Sequence, residues 1–149
     1  MRELAVPAQD SILLIDDDEL VAGSLREYLV RGGSQVDVAL EASSAEQLMH
    51  TRQYDVVVVD PYFTGGVQDD DDALLATIRG LQPSAALIVL TAYASPALAA
   101  VAGRERATAL LAKPQSVPFL SQFVVSASRG VVPPLSTTEP PLPTKGPTE

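Results

Sequence analysis

Residues 56–60 read Val-Val-Val-Val-Asp, four β-branched residues in a row and then an acid. β-branched side chains are stiff at χ1 and suit a pleated strand. A run with no polar alternation reads as a strand covered on both faces, as in parallel sheets. An acid closing such a run lies at the strand's carboxyl end, where open α/β sheets gather their functional groups. Outward from this point the pattern repeats. Ile12–Leu13–Leu14–Ile15 is ended by Asp16–Asp17–Asp18, Ala86–Leu87–Ile88–Val89–Leu90 by Thr91, and Ala109–Leu110–Leu111–Ala112 by Lys113–Pro114. Val36–Asp37–Val38–Ala39–Leu40 alternates like a further strand.

Helical spacing fills the intervals. Leu20, Leu25, Tyr28 and Leu29 recur on one face and stop at Gly32–Gly33. Ser43 or Ser44, with Glu46 or Gln47 three residues on, has the spacing of a capping box. After a loop containing Gly65–Gly66, the acids Asp69–Asp72 open a helix through Leu74, Leu75 and Ile78. Ser95–Pro96 is a cap followed by proline at the first helical position. Phe119–Ser128 reads as the last helix. Five strand–helix pairs in strict alternation predict an α/β, doubly wound, five-stranded parallel sheet with helices on both faces.

The 149 residues suit one domain with a substantial core. The net charge of −9 offers no basic face for nucleic acid. Without cysteine there are no disulfides, thiolate metal sites or thiol nucleophile. No apolar run nears the ~20 residues of a membrane span. Residues 1–10 have one Arg and no apolar signal segment, so a cytoplasmic location away from the membrane is expected. Six of the 12 prolines lie between Pro133 and Pro147. The expected division is therefore a domain over 1–130 and a Pro/Thr-rich flexible tail over 131–149, serving as a linker, a docking peptide or an inert end.

Chemistry concentrates at the strand ends. Adjacent carboxylates repel unless compensated, and a hard cation with oxygen ligands compensates them. An aspartate beside such a metal can attack phosphorus and form an aspartyl phosphate. A lysine can pair with phosphoryl oxygens, and a threonine hydroxyl can hydrogen-bond to one. Together these parts make a phosphoryl-transfer site. Asp18 reads as a helix cap, and Asp69–Asp72 as a solvated helix start rather than a second metal site. His50 reads as a surface or partly buried residue rather than a phosphodonor, and Arg104 and Arg106 as a solvated turn.

LLIDDDEL at 13–20, VVVVD at 56–60, IVLTAY at 88–93 and LLAKP at 110–114 resemble the receiver family of two-component signalling, over about residues 10–130. The resemblance implies a flavodoxin-like (βα)5 fold with strand order 2-1-3-4-5. It makes Asp60 the phosphoacceptor, Thr91 the switch hydroxyl and Lys113 the phosphoryl-binding cation, with a cis Lys113–Pro114 bond. It assigns Mg²⁺ (or Mn²⁺) to Asp16, Asp17, Asp60 and the backbone carbonyl of Tyr62. The pair Asp17–Asp18, one residue later, is the alternative register.

Implied partners are a histidine kinase or phosphotransfer protein and an unknown output protein. The small apolar residues Ala97, Leu98 and Val101 in the fourth helix would permit, without requiring, a homodimer through the fourth helix, fifth strand and fifth helix. The role is that of a signalling domain, not an enzyme beyond slow self-dephosphorylation. Two features depart from the family. Pro61 follows the phosphoacceptor and removes an N–H, and Leu110 stands at the family's aromatic switch position. Tyr62 and Tyr93 flank the site and are expected to screen an acyl phosphate from water. The competing readings are a haloacid-dehalogenase-like phosphatase with Asp16 as nucleophile, and a pseudo-receiver that docks without being phosphorylated.

Overall fold

A computed structural model of the chain describes residues 9–62 and 71–131. Among them five strands alternate with five helices: β1 (Ser11–Ile15), α1 (Glu19–Arg31), β2 (Gln35–Ala39), α2 (Ala42–Thr51), β3 (Val56–Val59), α3 (Asp71–Leu81), β4 (Ala86–Thr91), α4 (Pro96–Arg104), β5 (Ala109–Ala112) and α5 (Val117–Ser128). All pairings are parallel and the order is β2-β1-β3-β4-β5, as expected. Gly65–Gly66, Asp69 and the tail beyond Val131 lie outside the described residues.

Successive strand residues point to opposite faces. Leu13, Ile15, Val57, Val59, Leu87 and Val89 therefore fall in one buried layer with Met49 of α2, Leu75 and Ile78 of α3, and Leu98 of α4. Ile12, Leu14, Val56, Val58, Ile88 and Leu90 fall in the other, with Leu25 and Leu29 of α1 and Leu120 and Val124 of α5. Continuous apolar runs are what a sheet covered on both faces requires. Among the described residues no helix is long and apolar enough to cross a membrane.

The helix boundaries follow their caps, with one correction. Asp18 caps α1, its Oδ1 accepting from the N–H groups of Leu20 (3.1 Å) and Val21 (3.2 Å). Gly32 ends α1, and Gly33 follows at φ 102°, a conformation that favours glycine. Ser95 caps α4 ahead of Pro96. Neither Ser43 nor Ser44 caps α2, contrary to the capping-box reading: the N-cap is Glu41, without a side-chain bond. Both serines sit inside the first turn and donate to Glu41, Ser43 to its carboxylate and Ser44 to its carbonyl. Helix α5 starts two residues before the expected Phe119, because Ser116 accepts from the N–H of Phe119 and Pro118 suits the first turn.

Two polar side chains tie the end of the sheet away from the acids. Gln82 is fully buried. Its Oε1 accepts from Tyr54 N–H (2.8 Å), and its Nε2 donates to the carbonyls of Met49 (3.0 Å) and Arg52 (2.7 Å). The Arg79 guanidinium donates to the carbonyls of Gln82, Pro83, Ala85, Glu105 and Arg106.

Candidate functional site

Strand register brings the site residues together. Ile15 of β1 is level with Val59 of β3, and Asp60 N–H donates to the Ile15 carbonyl at 2.9 Å. Asp16 and Asp60 are therefore the next residues on adjacent strands, with the same face parity. Val59 is level with Val89 of β4, so Thr91 ends its strand one position beyond Asp60. Thr91 is level with Ala112 of β5, and the Lys113 N–H donates to the Thr91 carbonyl at 2.9 Å. Four strand ends thus meet at one rim of the sheet. The Lys113–Pro114 bond is cis, as expected.

Lys113 Nζ donates to Asp16 Oδ2 at 2.8 Å and to Asp60 Oδ2 at 2.9 Å. These side chains are only 8% exposed at each carboxylate and 15% at the lysine, so the contacts are screened little by solvent. Asp16 Oδ1 also accepts from Asp18 N–H (3.0 Å), and Asp60 Oδ1 from Tyr62 N–H (3.1 Å). Burial raises the Asp16 pKa above its ordinary value, although the bond from Lys113 opposes the shift. Burial acts to lower the Lys113 pKa, but the hydrogen bonds to Asp16 and Asp60 outweigh it and leave the ammonium more firmly protonated. Asp16 and Asp60 also line a small cavity of about 10 Å³, together with Leu14, Val21, Leu25, Val58 and Leu90.

The remaining residues are arranged around this centre. Thr91 is fully buried and its Oγ1 accepts from Tyr93 N–H at 3.0 Å. Tyr62 and Tyr93 meet edge to face, with ring centroids 5.6 Å apart and planes at 86°. Pro61 is buried and Tyr62 partly so. Asp17 is exposed, and Asp18 is engaged in capping α1 rather than in the carboxylate pair. His50 is exposed on α2. On α4, Ala97 is exposed, but Leu98 and Val101 are 2% and 7% exposed and face the core. The dimer surface expected from those two residues is corrected accordingly: helical spacing turns them inward onto the sheet.

The donor set is all oxygen, which suits a hard divalent cation. Two buried carboxylates share one ammonium, leaving unbalanced negative charge at the strand ends. The side chains are not drawn into a ready cage, since among the described residues no three Asp, Glu, His or Cys form a metal-holding group. The set fits in kind, with Asp17 at the exposed rim. Sequence reasoning missed the ammonium bridge between Asp16 and Asp60 and the contact between the two tyrosine rings. Equal face parity of Asp16 and Asp60 was the available signal for the first.

The profile of the response regulator receiver domain matches residues 12–124. The chain is 27% identical over 133 residues to the photosynthetic apparatus regulatory protein RegA of Rhodovulum sulfidophilum, covering 89% of this chain and 71% of that protein. It spans between 43% and 71% of the first three curated relatives it matches. It is 33% identical, with a TM-score of 0.70, to a response regulator of Burkholderia pseudomallei whose crystal structure holds a phosphorylated aspartic acid, a calcium ion and citrate; 82% of this chain and 71% of that one are covered. A CheY-like receiver domain of Methanospirillum hungatei shares the fold at a TM-score of 0.74 and 22% identity, covering 83% of this chain and 97% of that one.

Proposed function

The chain belongs to the response regulator receiver domain family, and on that premise we propose that it is a phosphorylation-driven switch in which Asp60 is the phosphoacceptor. The observation that carries this reading is the buried Asp60 carboxylate, held by Lys113 beside Asp16. A carboxylate oxygen of Asp60 attacks the phosphorus of a phosphohistidine. A C–O–P linkage forms, the P–N bond breaks, and its electron pair returns to the imidazole nitrogen. Lys113 would follow the new negative charge onto the phosphoryl oxygens, and the Thr91 hydroxyl would donate to one of them. Asp16, Asp17, Asp60 and the Tyr62 carbonyl would hold Mg²⁺ or Mn²⁺. When bound, the ion would offset charge on the transferring group.

The phosphodonor would be a histidine kinase or phosphotransfer protein, acting in the cytoplasm. Its histidine must reach the rim where Asp60 opens, so its surface would cover Leu20, an 82% exposed apolar residue at the start of α1. The output protein would read the altered face around Thr91. A self-dimer would use the exposed surface of α4, β5 and α5, on which Ala97 remains. Family membership does not favour the phosphatase or pseudo-receiver alternatives.

Chemical trapping tests the assignment. The chain is treated with phosphoramidate and Mg²⁺, reduced with borohydride, and mapped by peptide mass. Conversion of residue 60 to homoserine is expected. Conversion of residue 16 instead would move the nucleophile to Asp16 and support the phosphatase reading.

A further inference from the structure

We infer that the Tyr62–Tyr93 ring pair couples the phosphoacceptor to the β4–α4 connection, carrying a change at Asp60 into residues 92–95. This rests on the reading of Asp60 as the phosphoacceptor. Each tyrosine is tied by its backbone to the reactive side chain two residues before it. Tyr62 N–H donates to Asp60 Oδ1 at 3.1 Å, and Tyr93 N–H donates to Thr91 Oγ1 at 3.0 Å. The rings then meet edge to face at 5.6 Å and 86°, where the positive edge of one lies against the negative face of the other. Asp60, Tyr62, Tyr93 and Thr91 form one closed circuit of two hydrogen bonds, a ring contact and the β3–β4 ladder.

The circuit is anchored on the atoms that the chemistry alters. A phosphoryl group on Asp60 withdraws negative charge from its carboxyl oxygens and weakens what Oδ1 offers the Tyr62 amide. A reoriented Thr91 hydroxyl likewise releases the Tyr93 amide. The two sides differ in how firmly they are held. Tyr62 is partly buried against the layer of α2, α3 and α4. Tyr93 is 63% exposed, and Ala92 and Ala94 beside it are exposed. A shift of the Tyr62 ring therefore moves Tyr93 with little resistance.

The far end of α4 is fixed. Arg79 donates to the carbonyls of Glu105 (2.9 Å) and Arg106 (3.3 Å), and Ala107 N–H donates to the Ala102 carbonyl (2.9 Å). At the near end the described side-chain tie is the Ser95 cap on Leu98 N–H. Motion delivered by Tyr93 thus falls on the N-terminal end of α4, with Arg79 holding the other.

The test uses the full chain labelled with ¹⁵N, with Mg²⁺ and beryllofluoride as probe. Bound fluoride is read by ¹⁹F NMR, and the loop by the amide signals of Tyr93, Ala94 and Ser95. The wild type is expected to show bound fluoride and displaced loop amides. Tyr93→Ala should keep the bound-fluoride signal while the displacement of the Ala94 and Ser95 amides falls about fivefold or more, the low end of typical coupling between sites. Tyr93→Phe, which keeps the ring, should restore it. Wild-type displacement of Ala94 and Ser95 in Tyr93→Ala, with fluoride bound, would overturn the coupling. Absence of bound fluoride in the wild type would overturn the Asp60 reading itself, and the coupling with it.

Discussion

Asp16 and Asp60 end adjacent strands side by side and share a single ammonium, that of Lys113, at 2.8 and 2.9 Å. Removing the lysine leaves two nearly buried carboxylates uncompensated. Loss of one partner of a fully buried ion pair costs ~3–5 kcal/mol, and a site that opens to solvent at one rim should lose about 2. Lys113→Gln should therefore be destabilised by about 2 kcal/mol in EDTA, and Mg²⁺ should restore part of that stability. Urea unfolding with and without Mg²⁺ reads both effects. Wild-type stability in EDTA would show that the ammonium does not compensate the pair.

The tyrosine pair gives a kinetic prediction separate from its proposed coupling role. The rings follow Asp60 and Thr91 by two residues, and rings flanking the site would limit the approach of water to an acyl phosphate. Replacing Tyr93 by alanine should speed loss of the phosphoryl group about three- to tenfold, equivalent to ~0.7–1.4 kcal/mol of barrier. The decay is followed by intact mass after the phosphodonor is removed. An unchanged rate would sink the screening role.

Much of this was legible in the sequence, for identifiable reasons. Val56–Val59 and its companion runs announce strands covered on both faces, because no polar residue interrupts them. Asp16, Asp60, Thr91 and Lys113 follow such runs directly, so strand ends located them. The serines Ser43 and Ser44 fit the spacing of a capping box, but the helix begins two or three residues earlier, at Glu41, which caps it without a side-chain bond. Leu98 and Val101 were read as surface because composition does not say which side of α4 faces the sheet. Arg79 and Gln82 gave no signal, since their partners are backbone carbonyls and amides assembled by tertiary structure.

Gln82 makes that last point measurable. It satisfies three backbone groups, those of Tyr54, Met49 and Arg52, from a fully buried position. Gln82→Ala leaves them without that partner and should cost about 3 kcal/mol. Thermal or urea unfolding reads the change. A loss below about 1 kcal/mol would mean that water replaces the side chain.

Asp37 supplies a pH dependence away from the site. Its Oδ2 accepts from the Tyr54 hydroxyl (2.7 Å) and from Arg52 Nη1 (2.6 Å). Burial works to raise its pKa, but these bonds and the charges of Arg52 and Arg26 outweigh burial and lower it below 3.8. A lowered folded-state pKa contributes stability above the unfolded value that is lost as pH falls through the folded one. Asp37→Asn should thus be less stable than wild type at pH 7 by up to about 1 kcal/mol, the upper end for a partly exposed ion pair. The gap should close as pH falls below 3.8. A gap independent of pH would show that the carboxylate's charge is not what is lost.

Everything proposed for the site depends on Asp60 taking the phosphoryl group. The most direct test of that transfer is intact mass after incubation with acetyl phosphate and Mg²⁺, with Asp60→Asn alongside. One Mg²⁺-dependent phosphoryl adduct is expected on the wild-type chain and none on the variant. An adduct of equal yield on Asp60→Asn would contradict the assignment to Asp60.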